Sequence, residues 1–180
     1  MSSDKILLHA CCAPCLTNSI KELQEQGFEV TVYFYNPNIT PYVEYQKRLE
    51  ELIGFCQKQN YPLIIEEGGF AFWKEICDPL KNEREGGKRC ENCFKIRLEK
   101  TAAVAEEKNF DYFCTTLTIS PHKNSKIINV KGEEIAEKYN VEFLPRDFKK
   151  NDGFKKSLYI SKEFNLYRQN YCGCEYSIRK

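Results

Sequence analysis

Three groups of cysteine carry the residue types and spacings that do chemistry. HACCAPC places Cys11, Cys12 and Cys15 within five residues, GKRCENC holds Cys90 and Cys93, and YCGC holds Cys172 and Cys174. Cys12-Ala-Pro-Cys15, taken alone, is a C-x-x-C beside a strand-helix pattern, the mark of a thioredoxin-like redox pair. A helix N-terminus there would favour thiolate as nucleophile or ligand. The plainer alternative for Cys15 is a small apolar residue packed in the first turn of a helix.

Cys90 and Cys93 are expected on a tight turn before a helix, where two sulfurs converge on one metal or cluster. Gly86 and Gly87 permit backbone conformations closed to other residues. Taken with the adjacent pair Cys11–Cys12, they make a four-thiolate site. Zinc and iron–sulfur both accept four thiolates, but one pair here is adjacent, on a sheet edge, and far in sequence from the other. That context favours an iron–sulfur cluster over structural zinc. Cys172-Gly-Cys174 can close a very small, strained disulfide, suited to passing two electrons. The alternative is that both are spare metal ligands. Cys56, Cys77 and Cys114 read as buried, inert thiols.

Ten cysteines in 180 residues would fit a secreted disulfide scaffold, but such scaffolds are small and loop-rich. No charged-then-apolar leader precedes Ile6 and no apolar run is long enough to span a bilayer, so a cytoplasmic protein without a membrane partner is expected. In a reducing compartment, such cysteine usage points to metal ligation or redox work. The 42% hydrophobic and 29% charged residues are ordinary globular values, and a net charge of +1 implies no nucleic-acid partner by bulk charge.

The elements that must position these thiols alternate. Strands are expected over 5–10, 30–38, 62–67, 112–119 and 141–148, and helices over 16–26, 42–59, around 70–80, over 94–108 and over 124–139. Strands alternating with helices of about ten to fifteen residues argue for a doubly wound parallel α/β sheet. The expected organisation is a single domain over 1–180, with a doubly wound core at 1–148 and a cysteine-bearing C-terminal extension at 149–180. Ligands collect at the carboxyl ends of such strands, near the switch point. The first cysteine group follows strand one directly.

The blocks HACCAPC, EREGGKRCENCFKIRLE, TTLTISPHKN and LYRQNYCGCEYS together resemble the signature of the cobalamin-independent epoxyqueuosine reductases, the QueH family, over nearly the whole chain. The resemblance implies reduction of the epoxide of epoxyqueuosine to an alkene in the wobble nucleoside of tRNA. It implies a [4Fe-4S] cluster on Cys11, Cys12, Cys90 and Cys93, and a redox-active pair at Cys172 and Cys174. It also implies a Rossmann-like fold shared with nucleotide α-hydrolase and PP-loop enzymes. No SGG-x-DS-type phosphate loop follows strand one, so no use of ATP is expected.

Removing the epoxide oxygen takes two electrons and two protons. A cubane cluster normally passes one electron at a time, so a second store is needed. Cys172–Cys174 is one candidate, and an additional iron beside the cluster, on Cys15 or shared thiolates, is another. The ultimate electron donor is unidentified. Proton-donor or supporting candidates are His9, His122 and Tyr171, with the alternative that His9 orients the cysteine loop and that His122 with Lys123 meets phosphate. The stretch 144–156 interleaves Arg146, Lys149, Lys150, Lys155 and Lys156 with Phe148 and Phe154. It could grip the anticodon loop of tRNA, or it could be a solvated loop. Two other readings stand beside the reductase: a metal-free thioredoxin-like dithiol oxidoreductase, and a zinc-stabilised RNA-binding domain.

Overall fold

A computed structural model describes residues 3–178. Five strands run β1 (Lys5–His9), β2 (Glu29–Phe34), β3 (Leu63–Ile65), β4 (Tyr112–Thr115) and β5 (Glu142–Phe143). All pair in parallel, in the order β3-β2-β1-β4-β5. The chain therefore winds outward from β1 to β3, then returns to the other side of β1. That reversal puts the switch point between β1 and β4, as expected for this class.

β1 shows why the sheet is buried on both faces. Ile6 and Leu8 enter one apolar layer while Leu7 enters the other, because successive strand side chains point to opposite sides. The first layer packs against α1 (Ala13–Glu25), α2 (Tyr42–Gln59) and Phe148. The second packs against α3 (Phe70–Cys77), α4 (Lys88–Glu107) and α5 (Ser125–Ala136). His9, on the same side as Leu7, falls between them and is fully buried. No helix among the described residues is long and apolar enough to cross a membrane.

Several element boundaries differ from the sequence reading, three of them near the thiols or the end of the sheet. α4 starts at Lys88, six residues before the expected 94, because its N-cap Gly87 is extended and the Cys-x-x-Cys segment itself takes helical turns. Cys90 and Cys93 thus sit on helix, not on a preceding turn. The strand expected over 112–119 ends at Thr115, where its side chain accepts a hydrogen bond from Leu117 N and starts a 3-10 turn over Thr116–Ile119. The strand expected over 141–148 shortens to two residues. The segment after 148 contains a helix the periodicity did not reveal, α6 (Gly153–Glu163), lying against α1. Gly153 is required there, since a Cβ would lie against the Phe148 carbonyl.

Candidate functional site

The turn after β1 is shaped by its own chemistry. Cys12 is the extended N-cap of α1, and Pro14 occupies the first turn, where its missing N–H costs nothing. This winding brings the sulfurs of Cys11, Cys12 and Cys15 within 4.8 Å of one another, the one group of three or more metal-binding side chains so placed among the described residues. Gln169 reaches back from the C-terminal segment and donates to Cys12 Sγ at 3.0 Å.

The three thiols share charge unequally. Hydrogen bonds from Cys12 and Cys15, helped by the positive Lys123, hold Cys11 well below the ordinary thiol range. The same contact with Cys11 pushes Cys12 up to about 12, and Cys15 is raised as well. One thiolate is stable here without a metal, and a second is opposed by the first. A bound cation would reverse that for all three, so the donor set suits a metal.

The surroundings point the same way. A cavity of about 270 Å³ opens at the switch point, lined by Cys11, Cys15, Arg97, Lys123, Tyr171 and Cys172 among others. Arg97 is buried, donates to Cys93 Sγ at 3.3 Å and to Cys93 O at 3.2 Å, and has no carboxylate partner among the described residues. Its nearest opposite charges are the thiols Cys93, Cys172 and Cys11, which raise its pKa despite burial. Lys123 is likewise raised by Cys172, Cys11 and Cys15 against the cost of desolvation. Shielded cations without carboxylates need anions, and the cysteines are the groups here able to supply them.

Cys90 and Cys93 project from α4 one helical turn apart. The N–H of Gly86, whose φ is 87°, donates to Cys90 Sγ at 3.2 Å. Burial raises both thiols, with further contributions from Cys172 and Cys174. Cys93 packs in the same apolar layer as Cys11, Cys12 and Cys174, and Cys15 and Cys90 pack against it. The structure thus brings all seven thiols of the three sequence groups into one region. The tightest set is Cys11, Cys12 and Cys15, however, not the four singled out from sequence.

The C-terminal pair departs from expectation. All ten cysteines are free thiols, so the small Cys172–Cys174 ring is not closed. Between them Gly173 takes φ 140°, and its carbonyl accepts from Thr40 N. Cys172 is half-buried on the cavity wall, while Cys174 is buried in the core layer and starts a 3-10 turn.

His9 is engaged at both ring nitrogens, Nδ1 at 3.0 Å from Thr115 Oγ1 and Nε2 at 3.1 Å from Tyr35 O. The carbonyl requires Nε2 to carry the proton, and Thr115 donates to Nδ1 while accepting from Leu117 N. Burial, then Arg97, lowers its pKa to about 4. It is a neutral brace tying β1 to β2 and β4, not a proton source. The Tyr171 hydroxyl donates to Thr40 O. His122 lies exposed on the cavity rim beside Lys123.

The basic stretch divides. Lys149 Nζ donates to Thr118 O at 2.9 Å and Lys123 O at 3.3 Å and pairs with Asp147, so it staples loops. Arg146 donates to Gln26 and to Pro145 O, and Phe148 is fully buried core. Those three are therefore not a free RNA surface. Lys150, Lys155 and Lys156 are exposed, and Phe154 lines the cavity.

Sequence reasoning missed Arg97, Arg48 and Gln169. Arg97 had a signal: Cys90, Cys93 and Arg97 follow the three-and-four spacing of one helix face. Arg48 and Gln169 had none, since each acts on a chain segment more than a hundred residues away.

Fold and site define a class: a Rossmann-like α/β protein with a multi-thiol, cation-rimmed cavity at the switch point. Solved structures share the fold at low identity. A protein described as a tRNA methyltransferase subunit from Methanocaldococcus jannaschii matches with TM-score 0.61 and 12% identity, over 89% of this chain and 75% of its own. The U34-tRNA thiolase NcsA from Methanococcus maripaludis, solved with its [4Fe-4S] cluster, matches with TM-score 0.60 and 13% identity, over 99% and 63%. The family model for epoxyqueuosine reductase QueH matches residues 6–180. The chain is 42% identical to the epoxyqueuosine reductase QueH of Streptococcus pyogenes serotype M1, over 97% of this chain and 70% of that protein. It is 38% identical to that of Thermotoga maritima, over 96% and 90%. The chain belongs to the QueH epoxyqueuosine reductase family.

Proposed function

We propose that this protein reduces the epoxide of epoxyqueuosine to the alkene in the wobble nucleoside of tRNA, using a [4Fe-4S] cluster held by Cys11, Cys12, Cys90 and Cys93. The observation that carries the reading is the convergence of thiols from three distant segments on one cavity rimmed by Arg97 and Lys123. Bound there, the cluster would supply electrons one at a time.

The chain's own residues supply the rest. Cys172 faces the cavity and Cys174 lies two residues on, so closing them into a disulfide would release two electrons and two protons, the full requirement of the reduction. Lys123 and Arg97 place positive charge where the epoxide oxygen gathers negative charge as its C–O bond breaks. The raised pKa of Lys123 keeps it cationic, so it yields a proton only to a strongly basic oxygen. Phe154 and the exposed Lys150, Lys155 and Lys156 on and before α6 suit a single-stranded loop and its phosphates. Phe154, Ser157 and residues 168–172 of the C-terminal extension form one wall of the cavity.

The compact Cys11–Cys12–Cys15 triad favours a second reading of the metal content, a single ion on those three sulfurs. Iron and acid-labile sulfide counts on anaerobically prepared protein separate the two: four of each supports the cluster, one metal without sulfide supports the ion. Nucleoside mass spectrometry of epoxyqueuosine-bearing tRNA after incubation with reduced protein should show loss of one oxygen. Intact tRNA after incubation with the metal-loaded protein would refute the function.

A further inference from the structure

A second concavity, about 200 Å³, lies at the carboxyl ends of β2 and β3, lined by Asn36, Thr40, Tyr42, Tyr45, Glu67 and Phe70. Its polar lining is unpaired in a way the fold does not explain. Thr40 Oγ1 and Tyr45 Oη are buried and have no hydrogen-bond partner among the described residues. Such groups cost stability, and two beside one hollow point to a partner that satisfies them.

The aromatic rings around the hollow are unusually exposed. Tyr42 is 64% and Phe70 42% accessible. Tyr42 stacks on Tyr45 with centroids 5.8 Å apart and planes 13° from parallel, giving a flat platform. A flat ring beside the Glu67 carboxylate suits a planar heterocycle presenting N–H groups on its edge. The hollow also shares a wall with the thiol cavity. Thr40 accepts from the Tyr171 hydroxyl and its N–H donates to Gly173 O at 2.8 Å, while Tyr171 and Cys172 line the thiol cavity on the other side.

We propose that this hollow is a nucleobase subsite, holding an unpaired loop base next to the modified nucleoside: the base stacks on Tyr42, and its N–H edge meets Glu67. The proposal rests on the RNA substrate reading above. It gives the enzyme a second point of grip, splaying two neighbouring bases into two adjacent pockets, as single-stranded RNA is commonly read.

The test uses the anaerobically prepared, metal-loaded protein and a fluorescent anticodon stem-loop, with binding read by anisotropy and turnover by nucleoside mass. Tyr42→Ala and Tyr45→Phe should each weaken stem-loop binding, Tyr42→Ala by about tenfold, within the range of one base-aromatic stack. Tyr45→Phe should leave the melting temperature of the free protein unchanged or higher, because its hydroxyl is unpaired without RNA. Stem-loops with a single abasic site on either side of the modified position complete the cycle. One of them should bind wild type more weakly by a similar factor, and against it Tyr42→Ala should cost nothing further. Equal losses for intact and abasic RNA, or unchanged binding in both variants, would overturn the subsite. Failure of wild type to reduce the intact stem-loop would instead overturn the function, and binding alone would still decide the subsite.

Discussion

Two thiol groups on either side of one cavity are held in opposite ways. The Cys11–Cys15 turn is built into the sheet: it leaves β1 directly, is braced by His9, and starts a helix that cannot move without dismantling the core. The Cys172–Cys174 segment carries no strand or long helix. It hangs from Arg48, which donates to Cys172 O at 2.9 Å and Tyr171 O at 3.3 Å, and from Thr40. A metal needs ligands preorganised before it arrives, whereas a thiol pair that opens and closes needs room to rotate. On the proposed function, the contrast separates the part that would hold the cofactor from the part that would exchange electrons beside it.

The largest effects should break that contrast most plainly. Cys11→Ser or Cys12→Ser should lose both bound metal and turnover, each falling below detection. Cys172→Ser should lose turnover as completely while keeping the metal and its visible absorption. Metal loss in Cys172→Ser would place that residue among the ligands and erase the distinction. Next, Lys123→Met should cut kcat by about a hundredfold, the scale of removing one charge that stabilises a developing anion, without changing metal content.

Arg48→Ala should release the hanging segment. It strands two carbonyls and the Glu44 carboxylate, 2.7 Å from the guanidinium, at a cost of about 2–4 kcal/mol. Limited proteolysis should then cut near residues 165–172, ahead of any cut in the first thiol turn.

A graded test follows from thiol reactivity in metal-free protein. Alkylation needs thiolate and access. Cys56 and Cys114 are buried, with pKa values pushed up to about 12, so iodoacetamide should reach them last. The half-buried Cys172 should label first, and peptide mass spectrometry gives the order. The smallest effect is Gly86→Ala. At φ 87° an added Cβ costs about 1 kcal/mol and loosens the N–H that reaches Cys90, so metal affinity should fall only slightly.

Much of the fold was legible because its signals are local. The helix over 42–59 matches α2 residue for residue, since its apolar stripe is complete and Asn60, in the left-handed region, ends it. The winding of five strands and the placement of the first thiols at a strand end followed from alternation alone. α6 was not legible, because its buried positions, Gly153, Ser157, Ile160 and Ser161, are mostly small and polar rather than an apolar stripe. The start of α4 was hidden for a related reason: Lys88-Arg-Cys-Glu-Asn-Cys looks like a loop until Arg89 and Arg97 are seen to be buried among carbonyls and thiols.

Composition and spacing, then, determined that this is a thiol-rich parallel α/β protein, which thiols gather in one region, and the family whose signature they spell. Those properties lie in residue type and short-range order, which the chain carries before it folds. Tertiary structure alone decided that Cys15 joins Cys11 and Cys12, that Arg97 and Lys123 face thiols rather than carboxylates, that His9 is a brace, and that Lys149 is a staple rather than a hand for RNA. Each depends on groups far apart in sequence meeting in a buried place, where a charge or a hydrogen-bonding atom takes its role from whatever lies opposite it.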